Sequence, residues 1–289
     1  VLHLLNLASG LLSIPVMEQL RWDITTLWYN PVGGLLLFFS LGMHFLLALW
    51  SLYQRQNLRL KPWEAMQLTL GLLVLPLAAS HIIGTRVRAE FFHVEVTYQQ
   101  VIATFWQNPW LGWKQVLLVA IVWIHMCIGL HYWLRLKRWY PSAVPVLYLA
   151  AALIPLLAML SFWRVGLALE PKLADPAFVE KLFAPFKSDN TALVALYDNL
   201  ETWSLAVMAG LLLATLAARE IRRLIQNQLG SFRLSLESGK RVTVPIGLTM
   251  LEAIRSAGIP HASVCGGRGR CTTCRVRVNA GAEGLHRPN

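Results

Sequence analysis

Three of the four cysteines fall on one short stretch, Cys265-Gly-Gly-Arg-Gly-Arg-Cys271-Thr-Thr-Cys274. Thiolates bind iron, and glycines let the backbone turn its N–H groups toward cluster sulfurs. Three thiols on such a loop therefore predict a [2Fe–2S] cluster on Cys265, Cys271 and Cys274. The competing chemistry is zinc, with His261 or His286 completing a Cys₃His set. The run Gly-Gly-Arg-Gly-Arg between ligands is unusual for a zinc knuckle and favours the cluster. A [2Fe–2S] cluster needs four ligands, and no fourth cysteine follows before Asn289. Arg268, Arg270, Arg275 and Arg277 make the rim of the loop basic, which suits either solvated surface or docking to an acidic partner. The fourth cysteine, Cys127, lies in an apolar run and reads as a small buried hydrophobe.

The second set of reactive residues is a group of histidines inside apolar sequence: His44, His81, His125 and His131, with His3 near the start. An ionisable residue at membrane depth is costly and points to function. One imidazole could serve as a hydrogen-bond bridge between helices; four or five together predict axial ligation of haem b, one or two per bundle. Small residues on the same helix faces leave room for a flat ring: Ser40 and Ala48 beside His44, Ala78 and Gly84 beside His81, and Gly129 after His125. His125 and His131 point about 240° apart around one helix, so they cannot share an iron. A central His44–His125 pair is geometrically easy, leaving His81 to a partner such as His3. Pairing His44 with His131 is the other scheme. Arg86, Arg88 and Arg135 stand where a haem propionate or the membrane interface would meet them. His93 lies in a loop and reads as an ordinary surface residue.

The elements that must position these residues are membrane helices. The chain has 289 residues, 56% hydrophobic and 14% charged, where a soluble domain carries about a quarter charged. Six uncharged runs have the length to cross a bilayer: 1–17, 33–53, 65–85, 115–134, 141–163 and 202–218. The basic connections carry Arg55, Arg59 and Lys61, then Arg135, Lys137 and Arg138, then Arg219, Arg222 and Arg223. The other connections balance their charge with Glu18, Asp23, Glu90, Glu95, Glu170, Asp175, Glu180 and Asp189. Positive-inside logic puts the basic set and the C-terminal region in the cytosol. Trp and Tyr near the run ends, such as Trp50, Trp63, Trp133 and Trp163, suit an aromatic belt. Topology therefore accounts for most of the net charge of +11, and nucleic acid is not an expected partner. In the longer outer connections, 94–106 suits the membrane surface and 178–186 a short amphipathic helix.

Past the last run the period changes. Helix is expected through 219–228, with a break at Gly230. Phe232, Leu234 and Leu236 alternate, 237–240 turns, and Val242 and Val244 alternate again, which predicts a hairpin. Thr249-Met-Leu-Glu252 is a capping box that opens a helix ending at Gly258; 272–278 reads as a further strand. The expected fold is a mainly α membrane protein, a six-helix transmembrane bundle over 1–218. A helical linker over 219–230 then leads to a truncated α+β β-grasp ferredoxin-like domain over 231–289.

Several separate segments carry a family resemblance: His3-Leu-Leu-Asn6, His81-Ile-Ile-Gly-Thr-Arg86, Trp123-Ile-His125-Met-Cys-Ile-Gly-Leu-His131-Tyr-Trp-Leu-Arg135 and the cysteine stretch. With them the chain resembles bacterial membrane-bound class III adenylate cyclases. These have a six-helix cytochrome b anchor, similar to that of succinate:quinone oxidoreductases, followed by a [2Fe–2S] ferredoxin domain. The C-x5-C-x2-C spacing itself resembles the adrenodoxin-like branch. The resemblance implies haem roles for His44, His81, His125 and His131, with His3 a further candidate, and cluster roles for Cys265, Cys271 and Cys274. It also implies a fourth cluster cysteine and a cyclase domain beyond Asn289, a homodimer, a quinone or quinol as ligand, and residence in the bacterial inner membrane. The expected function is a redox-sensing regulatory module of an adenylate cyclase (a lyase making cyclic AMP and pyrophosphate from ATP), itself without catalytic residues. The alternatives are a quinone-linked electron-transfer protein that is not a cyclase, and an anchor with vestigial metal sites.

Overall fold

The computed structural model describes residues 1–55, 58, 60–186, 191–267, 269 and 271–285. Arg59, Asp189, Arg268, Arg270 and His286 lie outside these. The chain divides into two compact units, Val1–Leu46 with Leu60–Leu211, and Leu47–Arg59 with Leu212–Asn289.

The first unit is helical. Its elements are α1 (Leu2–Ala8), α2 (Ile14–Tyr29), the first part of α3 (Pro31–Gln54), α4 (Pro62–Ile82) and α5 (Arg88–Phe92). After them come α6 (Tyr98–Gln107), α7 (Pro109–Leu134), α8 (Tyr140–Leu173), α9 (Pro176–Phe183) and the first part of α10 (Thr191–Gln228). Among the described residues five helical stretches are long and apolar enough to cross a bilayer: Pro31–Gln54, Pro62–Phe91, Pro109–Leu134, Tyr140–Leu173 and Asp198–Gln228. At most 17% of any such stretch is buried within the protein. Apolar side chains such as Leu35, Phe39, Trp110, Val146 and Leu213 are left facing outward. In water that surface would be unstable, whereas lipid covers it without cost.

The first expected span is corrected. Residues 1–17 do not make one helix: α1 tightens into a 3₁₀ turn at Ser9–Leu11 and the chain restarts at Ser13. The Ser13 hydroxyl accepts the Val16 N–H, and Pro15 stands in the first turn of α2, where its missing donor does no harm. The other runs are helical but longer than expected. The helix of α4 continues through a π-helical turn, Ile83–Val87, into α5, and α8 reaches Leu173.

The core of this unit joins Leu4 and Leu7 of α1, Met17 of α2, Tyr98, Ile102 and Ala103 of α6, Trp123 of α7, and Ala158, Val165 and Leu169 of α8. Helix α6 belongs to this core, with Ile102 at 2% and Ala103 at 0% exposure, rather than lying along a surface. Its start is fixed by a capping box in which Thr97 and Gln100 satisfy each other's backbone N–H. Phe178 and Phe183 of the short α9 pack against the same core.

In the second unit β1 (Ser231–Ser235) pairs antiparallel with β2 (Arg241–Pro245), Phe232 opposite Val244 and Leu234 opposite Val242. The Thr249–Glu252 capping box opens α11 (Met250–Ser256). Leu234, Val244, Ala253 and Ile254 form the core of this small layer. The expected strand over 272–278 is corrected: the segment opens in a turn, with Thr272 at φ 54°, and joins no ladder among the described residues, and a strand without a neighbour has no place for its N–H and C=O groups. Within the same unit Arg219 is buried, donates to the Arg55 carbonyl at 2.7 Å and pairs with Glu220.

Candidate functional site: two histidine pairs and a cysteine loop

Two histidine pairs come together in the helical unit. The rings of His44 (α3) and His125 (α7) have centroids 6.0 Å apart at 82°. Those of His3 (α1) and His81 (α4) are 5.9 Å apart at 62°. Each pair joins two helices distant in the chain.

The surroundings of His125 fix its ring. Its Nδ1 lies 3.1 Å from the Gln67 carbonyl; a carbonyl only accepts, so Nδ1 carries the proton and Nε2 keeps its lone pair. Gly71, one turn further along α4, makes the close approach possible, because a Cβ there would stand 2.7 Å from the His125 Cε1. His3 is held by a different group. Its Nδ1 is 3.1 Å from the Tyr98 hydroxyl. The Asn6 amide, turned to satisfy its neighbours, donates to the Met17 carbonyl at 3.0 Å. It accepts from the Tyr98 hydroxyl at 3.2 Å and from the Arg21 N–H at 3.1 Å. Tyr98 thus gives its proton to Asn6 and takes one from His3. Burial, reinforced by the nearby Glu18 carboxylate, raises the Tyr98 phenol well above its ordinary range and keeps it protonated.

A cavity of about 310 Å³ opens beside the second pair, lined by His3 and His81 and by apolar groups including Phe38, Leu41, Val119 and Phe162. Its polar lining includes Arg21, Arg86 and Gln115. The His81 Nδ1 is buried with no hydrogen-bond partner among the described residues, an orphan that asks for a ligand or a neighbour. Arg86 lies 4.0 Å over the Tyr29 ring, donates to the Trp28 carbonyl at 2.9 Å and pairs with Glu90 at 2.7 Å. Arg21 pairs with Glu18 at 2.6 Å and Glu95 at 2.5 Å. Burial works against the Arg21 charge, yet these two carboxylates outweigh it and its pKa rises.

The remaining candidates lie elsewhere. The His131 Nδ1 is 2.8 Å from the Tyr140 hydroxyl. Arg135 lies 4.6 Å over the Tyr132 ring, at the far end of α7 from Pro109. Neither Arg88 nor Arg135 lines the cavity. His93 is exposed at the end of α5, and Cys127 packs at the edge of the core.

In the second unit the cysteine loop is shaped by backbone that other residues rarely adopt. Gly266, Gly267 and Gly269 all have positive φ, and a Cβ on Gly267 would also meet Leu251 at 2.7 Å. Cys265 is buried, with Cys271 and Cys274 partly exposed, and the three are not joined by disulfides. The Cys265 N–H points at the Cys271 sulfur at 3.2 Å, and the Thr273 hydroxyl lies 3.0 Å from the same atom. The loop thus aims a backbone donor, the Cys265 N–H, at the Cys271 sulfur, an arrangement that suits a thiolate on a negatively charged cluster. His261 Nε2 lies 3.2 Å from the Cys274 carbonyl.

Residues 235–288 match the family described as a 2Fe-2S iron-sulfur cluster binding domain. This part of the chain is a [2Fe–2S] ferredoxin domain. Over 80 residues the chain is also 34% identical to one component of the Na(+)-translocating NADH-quinone reductase of Marinomonas sp. (strain MWYL1), a stretch that is 28% of this chain and 19% of that protein. No solved structure matches the chain at a significant level. The ferredoxin domain and the five apolar helices make this a membrane-associated redox protein of electron-transfer type.

Sequence reading missed Tyr98, Asn6, Gln67 and Gly71. Gln67 acts through its backbone, which has no signature. Tyr98 could have been noticed beside the Thr97–Gln100 capping box, since that box fixes where α6 begins.

Proposed function

We propose that the helical unit carries two b-type haem sites, His44 with His125 and His3 with His81, and that the protein exchanges electrons with membrane quinone or quinol. The observation behind this reading is the common spacing of the two pairs, 6.0 and 5.9 Å between ring centroids. An imidazole nitrogen binds a first-row metal at about 2.0–2.1 Å, and the ring centre lies about 1 Å behind it, so two rings on opposite sides of one iron stand about 6 Å apart. The orphaned His81 Nδ1 and the room kept by Gly71 suit the same assignment. His131 is left out because its ring neighbours among the described residues are Tyr132 and Tyr140, with no second histidine beside it.

Haem and cluster, when bound, take up and release single electrons. The protein's own groups do the rest. Gln67 and Tyr98 hold His125 and His3 in the tautomer whose Nε2 is free to bind metal. Arg86 and Arg21, each already paired with carboxylates, put guanidinium groups into the lining of the cavity that could meet the acid groups of a haem, and the rest of its wall is largely apolar. In the ferredoxin domain Cys265, Cys271 and Cys274 would hold the cluster, and with Cys271 as a thiolate the Cys265 N–H and the Thr273 hydroxyl would both donate to its sulfur.

The output of this redox module is regulation of an adenylate cyclase domain in a homodimeric protein of the bacterial inner membrane, with the ferredoxin domain in the cytosol. That part rests on the sequence resemblance and on the basic connections. A second reading, electron transfer from quinone to a partner without any cyclase, is favoured by the similarity to a component of an NADH-quinone reductase. Visible spectra and metal analysis of the purified protein test the cofactors: a reducible b-type Soret band with more iron than zinc is expected, and its absence overturns the haem sites. Cyclic AMP formation by the whole protein with oxidised and reduced quinone analogues separates the outputs. Equal rates, or none, overturn the regulatory reading and leave electron transfer.

A further inference from the structure

The two histidine pairs differ in what holds them. His125 donates its Nδ1–H to a backbone carbonyl, that of Gln67, at 3.1 Å. His3 donates to the Tyr98 hydroxyl, also at 3.1 Å, and the two rings stack with centroids 5.8 Å apart at 22°. Tyr98 is 8% exposed and its hydroxyl is tied to Asn6, which is itself buried and anchored to the Met17 carbonyl and the Arg21 N–H. The phenol therefore cannot swing away, and it fixes both the plane of His3 and the nitrogen left free.

We propose that Tyr98 is the positioning residue of the His3–His81 pair, orienting His3 and setting the reduction potential of that site above that of the His44–His125 site. The inference rests on the haem reading above. The sign follows from acceptor strength. An amide carbonyl is a stronger acceptor for the Nδ1 proton than a neutral phenol oxygen, even one polarised by its own donation to Asn6. The stronger the acceptor, the more electron density the imidazole gives its metal, which favours the oxidised state. His125 is thus the stronger donor and His3 the weaker.

The test is a potentiometric titration of the purified whole protein, followed by visible and electron paramagnetic resonance spectra, in wild type and Tyr98→Phe. Two low-spin ferric signals are expected in wild type, and His81→Ala assigns one of them by removing it. Tyr98→Phe should shift the largest g value of that same signal and raise its midpoint potential, leaving the other signal unmoved. Asn6→Leu, which frees the Tyr98 hydroxyl without removing it, should shift the same g value by a smaller amount. The inference is overturned if both variants leave the assigned signal unchanged, or move the signal that His44→Ala removes. If Tyr98→Phe does not accumulate, an unchanged Asn6→Leu signal overturns it alone. A wild type with no low-spin signal overturns the haem reading itself, whereas two signals that ignore Tyr98 overturn only this inference.

Discussion

His125 shows how little freedom the paired imidazoles have. Its Nδ1 is bound to the Gln67 carbonyl and its ring lies over Gly71, so neither rotation nor retreat is open to it. If each pair serves one metal, losing either partner must cost the same cofactor. His44→Ala and His125→Ala are expected to lose one haem equivalent with identical spectral change. His3→Ala and His81→Ala should lose the other, measured as haem per protein and by difference spectra. A variant of one pair that erased both haems would contradict the assignment. In the ferredoxin domain Cys271 receives both the Cys265 N–H and the Thr273 hydroxyl contact. Cys271→Ser should abolish the visible absorption of the cluster and lower bound iron, while leaving haem content unchanged.

At the scale of elements, capping and chain breaks decide where helices begin. The Thr249–Glu252 box satisfies N–H groups that α11 cannot satisfy internally. Thr249→Ala is expected to cost about 1 kcal/mol locally, and amide exchange in α11 should accelerate about fivefold. Unchanged exchange would mean the box is redundant. The same chemistry explains which elements were readable. The box at Thr249 and the 232–244 hairpin alternation were legible because both signals are local. So was the end of α10, at Gln228 just before Gly230. Residues 1–17 misled because they carry no Asp, Glu, Lys or Arg and are mostly apolar, although Ser13 and Pro15 already spell the start of a second helix. The strand expected over 272–278 misled for another reason: a strand needs a neighbour, and the composition of one segment does not supply one.

At the scale of the whole molecule, the five long helices among the described residues carry apolar outer faces that suit lipid. The protein is therefore expected to stay in the membrane pellet after alkaline carbonate extraction and to enter solution only with detergent, followed by immunoblot. Release by carbonate would contradict the membrane spans. The sequence by itself indicated the membrane character and the ferredoxin domain and singled out Cys265, Cys271 and Cys274 as its cluster candidates, because composition, helical period and short spacing are properties of neighbouring residues. It also named every histidine of the two pairs, yet left their partners open between two schemes. Only the tertiary structure brought His44 to His125 and His3 to His81, and only it put Tyr98, Asn6 and Gln67 behind them. The reason is physical. Which imidazoles meet depends on how helices far apart in the chain are packed and rotated against each other, and on a backbone carbonyl that no side-chain pattern records.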